Sequence, residues 1–319
     1  MSAETAKRRS PWVVIAAVLV LFALLVTPAA LVLLLRGDDD TAPATLRVAG
    51  LPTDVAVADG TVWVASGRDD RVVALDAATN RVERHPTGAA PLRVAAGAGS
   101  VWTANAGDDS VTRLNPLLGG VGRRIAVGAD AVDVAVGPDG AWVTNGQAGT
   151  LTRIDPVSNR VLGPPIRTGE FPTAVAIGAN HVWVVNSGEG TVARVDPREG
   201  VVVGRRIPVG RDPQDIAVGF GSVWIANRGD GTVTRLDAAD ARPQGAPLRV
   251  GGAPGALAVT RTGVLVLDTR TGTVLRVDPR SLAATPILRI PGYPAAIAVG
   301  AGSAWIVDSR RGTVTRVSG

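Results

Sequence analysis

After residue 44 the chain is seven copies of one pattern, and the period of that pattern constrains its fold more than any other feature. Trp63, Trp102, Trp142, Trp183, Trp224 and Trp305 hold one fixed place in six units, and Leu265 holds it in the remaining one. Successive positions are separated by 39, 40, 41, 41, 41 and 40 residues. A period of about 40 residues built from short β-rich runs is that of a propeller blade.

One unit shows how a blade is encoded. Residues 211–251 break into four apolar runs: DIAV, VWIAN, TVTRLD and a last run ending in PLRVG. Gly, Pro, Asn and Asp separate them, as they separate strands. Asp-Pro at 155–156, 196–197 and 278–279, and Asn115-Pro116, make turns after the third strand. Runs such as VWIA do not alternate, which suits a sheet covered on both faces by its neighbours. The last unit stops after its third strand. Its missing fourth strand is matched by Leu46-Arg47-Val48-Ala49-Gly50, which parallels Leu248–Gly252 and Leu288–Gly292. Residues 45–50 are therefore expected to complete the seventh blade and close the ring, leaving no free sheet edge.

Ahead of the repeats, residues 12–35 run for 24 positions without a charge, long enough to cross ~30 Å of hydrocarbon as a helix. Lys7, Arg8 and Arg9 precede this run and Asp38, Asp39 and Asp40 follow it. The basic flank stays in the cytoplasm, so the repeats are expected outside. A cleaved secretory signal is the alternative, but its apolar core is ordinarily 7–15 residues. Cleavage after Ala30 would also leave Leu31–Leu35 as an apolar terminus. The expected organisation is a basic cytoplasmic tail (1–11), a transmembrane signal-anchor helix (12–35), a linker (36–44) and the propeller (45–319). The expected fold class is all-β: a seven-bladed β-propeller with an N-terminal strand closing the last blade, preceded by one transmembrane helix.

The net charge of +5 is concentrated around that apolar run, and the repeats are nearly neutral. They carry no basic stripe of the kind nucleic acid requires, so no nucleic-acid partner is expected. With no cysteine there is no disulfide framework, thiol metal site or lipoprotein anchor.

The runs VAIGANHVWVVNSGEGTVARVDP (175–197) and IAVGFGSVWIANRGDGTVTRLD (216–237) resemble the YVTN and NHL-type propeller repeats of bacterial extracytoplasmic proteins. They are also similar to the repeats of the virginiamycin B (streptogramin) lyase-like family. The resemblance spans about residues 45–319 and implies the fold, because propellers host many activities. It also implies an alternative function, a streptogramin B-type lyase that opens its substrate by magnesium-dependent elimination. Those enzymes use a histidine and acidic residues at the funnel. Here His85 falls on an outermost strand and His181 in a turn at the opposite end.

Most repeated residues read as blade-building. The tryptophans pack blade against blade. Arg113, Arg153, Arg194, Arg235, Arg276 and Arg316 recur on the third strand and are expected to pair with neighbours such as Asp155, Asp196 or Asp237. The Gly-x-Gly pieces are hairpin turns, since strands rather than helix N-termini follow them. Function is sought where the units differ. At the entry to each innermost strand stand Asp54, Arg93, Asp133, Ala174, Asp215, Ala256 and Ala296. Phe171 and Tyr293 precede the proline that leads inward. Asp54, Arg93, Asp133, Asp215, Phe171 and Tyr293 are the candidate ligand-binding residues, at one mouth of the central channel. No catalytic or metal-binding set and no cofactor is expected, magnesium entering only with the lyase alternative. The expected role is a membrane-anchored extracytoplasmic module that binds, senses or scaffolds, with a protein or small polar ligand at the mouth.

Overall fold

The computed structural model describes residues 44–48, 50–116 and 122–318. The expected basic tail, anchor helix and most of the linker lie outside the described residues. Among the described residues no helix is long and apolar enough to cross a membrane.

The described chain forms seven separate antiparallel sheets, each made of consecutive strands except one. Blade 1 is typical: Pro52–Ala58 lies innermost, followed by Thr61–Ser66, Arg71–Asp76 and Val82–Pro86. The innermost strands of blades 2 to 7 begin at Pro91, Ala131, Pro172, Pro213, Pro254 and Pro294. The exception is blade 7. Its outer strand is Ala44–Arg47, which pairs with Thr313–Ser318 in the register Ala44↔Arg316 to Arg47↔Thr313. Val48 extends this pairing by donating its N–H to Gly312 O at 2.9 Å. The ring is thus closed by the N-terminal ribbon, as the missing fourth run implied, and Ala44 belongs to that strand rather than to the linker.

Blades stack through their faces. One apolar cluster joins Ala174, Trp183 and Val185 of blade 4 to Ile216, Val223 and Ile225 of blade 5. Another joins Trp305, Val307 and Val314 of blade 7 to Val55, Val64 and Val73 of blade 1. This two-sided burial explains why the second strands do not alternate. Close approach also explains the glycine that ends several innermost strands. Gly178 rests on Val218, and Gly300 on Val57, with no room for a Cβ between them.

The third-strand arginines have a different partner from the one expected. The aspartates after them cap their own turns instead: Asp155 accepts from the N–H of Val157, and Asp237 from that of Ala239. Arg113, Arg153, Arg235 and Arg316 instead lie over the tryptophan across from them in register, as Arg113 does over Trp102 and Arg235 over Trp224, 5.3 and 5.0 Å from the ring centroids. Arg113, Arg194, Arg235 and Arg316 reach the next blade, whereas Arg153 donates to Asp139 O of its own blade. Arg235 donates to Pro279 O at 3.0 Å, and Arg316 closes the ring by donating to Ala77 O at 3.0 Å. The physical reason is reach: a planar guanidinium stacks on an aromatic face and still has N–H groups left for a neighbour.

Candidate functional site at the channel mouth

Every innermost strand enters its sheet through the same irregularity. The register shifts between the entry residue and the second residue after it, as between Pro52 and Asp54 or Ala131 and Asp133. Such a bulge interrupts the ladder and frees backbone N–H groups at the mouth. The side chain at the shifted position decides what meets them.

In blades 1, 3 and 5 that side chain is a carboxylate, and it spans two blades. Asp133 accepts from its neighbour Val134 N–H at 2.8 Å and from Val175 N–H of blade 4 at 2.9 Å. Asp215 accepts from Ile216 N–H at 2.8 Å and from Leu257 N–H of blade 6 at 2.7 Å. Asp54 accepts from Val94 N–H of blade 2 at 2.9 Å. Arg93 stands in blade 2 between the first two, its Nη1 3.5 Å from Asp54 Oδ1.

These four candidates form one electrostatic cluster. Burial pushes the Asp54 carboxyl up to about 6 and the Asp133 carboxyl up to about 7, against the opposing pull of Arg93. Asp215 is raised for the same reason. Burial pulls the Arg93 guanidinium down, but Asp54, Asp133 and Asp215 more than offset this and hold it above its ordinary value. A single cation therefore serves three carboxylates that each also hold backbone N–H groups. The arrangement stitches blades 1–2, 3–4 and 5–6 at the channel. Its charge is spent inward, on the protein's own backbone.

Phe171 and Tyr293 sit apart from that cluster and from one another, on the rims of blades 4 and 7. Both are about half exposed, at 47% and 49%. Phe171 has φ +51°, a left-handed conformation that is costly for a bulky residue. Its carbonyl accepts from Ser187 N–H at 3.0 Å, which ties the loop after the second strand to the entry. Beside it lies a shallow cavity of about 570 Å3 lined by Gln147, Arg167, Glu170, Phe171 and Ser187. Tyr293 carries the Arg310 guanidinium 3.7 Å from its ring centroid. Sequence reading missed Arg167, Glu170 and Arg310 as companions of the two aromatics. Arg310 lies in the loop segment DSRRG (308–312), whose charge sets it apart from the other loops between second and third strands; Arg167 and Glu170 lie in none of those loops.

The histidines are elsewhere. His85 leans on Trp63, ring centroids 6.0 Å apart, and His181 Nδ1 lies 2.8 Å from Ala179 O at the far end. Among the described residues no three His, Cys, Asp or Glu side chains converge as metal ligands.

No protein-family model and no curated protein matches the chain. Solved structures do. Virginiamycin B lyase from Staphylococcus aureus superposes with a TM-score of 0.75 at 13% identity, covering 87% of this chain and 99% of that one. What this chain shares with that lyase is the propeller fold. A catalytically inactive variant of that lyase with quinupristin gives 0.74 at 15% identity, covering 87% of this chain and 99% of that one. Hydrazine synthase from Kuenenia stuttgartiensis gives 0.75 at 16% identity, covering 89% and 99%. At such identities the likeness extends to the seven-bladed architecture alone.

Proposed function

We propose that this propeller is a binding module, a sensor or scaffold, displayed outside the cell on one N-terminal transmembrane helix and engaging its partner through the channel mouth. The observation that supports it best is Phe171. A large aromatic held at positive φ with half its surface in water returns little to folding, and it borders a cavity carrying Arg167 and Glu170. The positive φ belongs to the entry turn, since Ala90, Asp130 and Asp212 hold the same place at +50°, +62° and +51°; what sets blade 4 apart is a large exposed aromatic there. The uncharged run 12–35 and its basic and acidic flanks support the anchor and its orientation.

The test compares full-length protein with a Phe171→Ala/Tyr293→Ala double variant in membranes of the native host. The reading expects a specific partner or ligand held by the parent and lost from the variant, at unchanged melting temperature. Equal capture by both proteins overturns it. Resistance to carbonate extraction, with the propeller open to protease only from outside, is the matching expectation for the anchor.

The lyase alternative rests on architecture alone. The channel carboxylates already hold backbone N–H groups, and no histidine stands near them. Among the described residues no three acidic or histidine side chains converge to hold magnesium, so no elimination step is derived. Mass spectrometry of a streptogramin B incubated with the protein and Mg²⁺ decides between the readings.

A further inference from the structure

The arginine–tryptophan clasp recurs around the ring, and blade 1 breaks it. In blades 2, 5 and 7 the clasp has three parts. The guanidinium stacks on the tryptophan 5.0–5.3 Å from its centroid. Its Nε donates to the serine that opens the second strand: Ser100 at 2.9 Å, Ser222 at 2.8 Å, Ser303 at 2.9 Å. Its Nη1 donates to the turn of the following blade.

Blade 1 keeps every wall of this slot and lacks the arginine. Ala74 stands opposite Trp63 in the register that pairs Arg113 with Trp102. Thr61 takes the serine's place, pairing with Ala58 as Ser100 pairs with Gly97. Pro116 of blade 2 stands where Pro279 accepts from Arg235. Thr61, Trp63, Ala74 and Pro116 together line a cavity of about 270 Å3. His85 tilts against Trp63 at 40° without filling it.

We propose that this cavity receives a guanidinium group, the arginine side chain of a partner protein inserted between blades 1 and 2. Its chemistry matches on three counts. Asp76, Arg81 and Glu83 also line it, and the two carboxylates outnumber the one guanidinium, which leaves net negative charge. Glu83 pairs with Arg81 at 2.9 Å in an exposed contact and lies 4.0 Å from His85 Nε2, so it can turn to a new cation. The volume lies below the ~300–1,000 Å3 of sites for whole small molecules, and suits one side chain. Arginine is favoured over lysine because a planar fork can stack on the indole and still reach both the Thr61 hydroxyl and the Pro116 carbonyl. The site is remote from Phe171 and stands independently of the mouth.

The test uses full-length protein carrying 5-fluorotryptophan, with the Trp63 line assigned from Trp63→Phe, titrated with Nα-acetylarginine amide. A saturable shift of the Trp63 line alone is expected, with a dissociation constant on the order of 1 mM or weaker for this single contact. The citrulline amide should produce none and the lysine amide a weaker one. Ala74→Arg should abolish the shift by filling the slot from within, while the melting temperature holds or rises. Glu83→Gln should weaken binding without disturbing the fold, and serves if Ala74→Arg does not fold. A Trp63 line that ignores the arginine amide, that moves equally with citrulline, or that still responds in a folded Ala74→Arg protein overturns the proposal.

Discussion

Aspartates stand at both ends of this propeller, and both sets accept hydrogen bonds from backbone N–H groups, yet their acidities move in opposite directions. At the far end Asp76, Asp155, Asp196, Asp237 and Asp278 cap the turns after the third strands. Hydrogen bonds to the charged form hold each below the usual carboxylate range. At the mouth Asp54, Asp133 and Asp215 accept equally short bonds and are raised. Solvation makes the difference. A turn aspartate keeps its water and gains donors. A channel aspartate gains donors but loses water and faces other carboxylates. Residue type and hydrogen-bond count are thus poor guides to charge state, and burial decides it: Asp69 and Asp230, in exposed loops at the mouth end, are lowered like the turn aspartates.

The largest break in this comparison should come from Arg93, among the described residues the one cation set between the channel carboxylates. Arg93→Met leaves those charges uncompensated, and by analogy with other buried pairs should cost about 3–5 kcal/mol of unfolding free energy at pH 8. Most of that loss should return at pH 5, where the carboxyls are protonated. Equal destabilisation at both pH values, measured by urea titration, would show that the guanidinium acts through packing alone.

A smaller effect belongs to the parent protein. Carboxyls raised to about 6 and 7 hold protons in the native state that the unfolded chain has released. Their contribution is present at low pH and is lost as pH rises toward 7. The turn aspartates have the opposite sign. Their contribution is present above the ordinary carboxylate value and is lost as pH falls below it. The denaturation midpoint should therefore peak near the ordinary carboxylate value, at about pH 4, where the two windows meet, and decline toward pH 7. Asp133→Asn should flatten the decline on the alkaline side. It should also cost about 1–3 kcal/mol throughout, because an amide can accept from only one of the N–H groups of Val134 and Val175. A flat profile in the parent would remove the distinction between the two ends.

The smallest effect is expected at the far end. Asp155→Ala removes the acceptor for Val157 N–H and the partner of the Ser158 hydroxyl. The midpoint should fall slightly at neutral pH and not at all at pH 2. If the alkaline slope changes instead, the separation of the windows is wrong.

The same contrast runs through what could be read in advance. The tryptophan period, the turn dipeptides and the Leu46–Gly50 match to other fourth strands led directly to seven blades and to their closure, because a repeated unit betrays its own boundaries. Asp54, Arg93, Asp133 and Asp215 were legible as a ring, since the period aligns their positions. Their use was not. Nothing local says that Asp133 reaches Val175, a blade away, or that burial outweighs Arg93. The clasp was misread for a similar reason. Asp155 is two residues from Arg153 and invites pairing, whereas the true partners are an indole across the sheet and, from Arg235, a carbonyl 44 residues on.

The amino-acid sequence alone determined the number of blades, the strand that completes the last one and the positions that face the channel, because periodicity is a local property that survives without coordinates. Only the tertiary structure decided which aspartates are charged, which arginines stack on tryptophan and where that stacking is interrupted at Ala74. Those properties depend on distance and on the exclusion of water between residues of adjacent blades, about 40 positions apart in the chain, and neither is written in the spacing of the repeat.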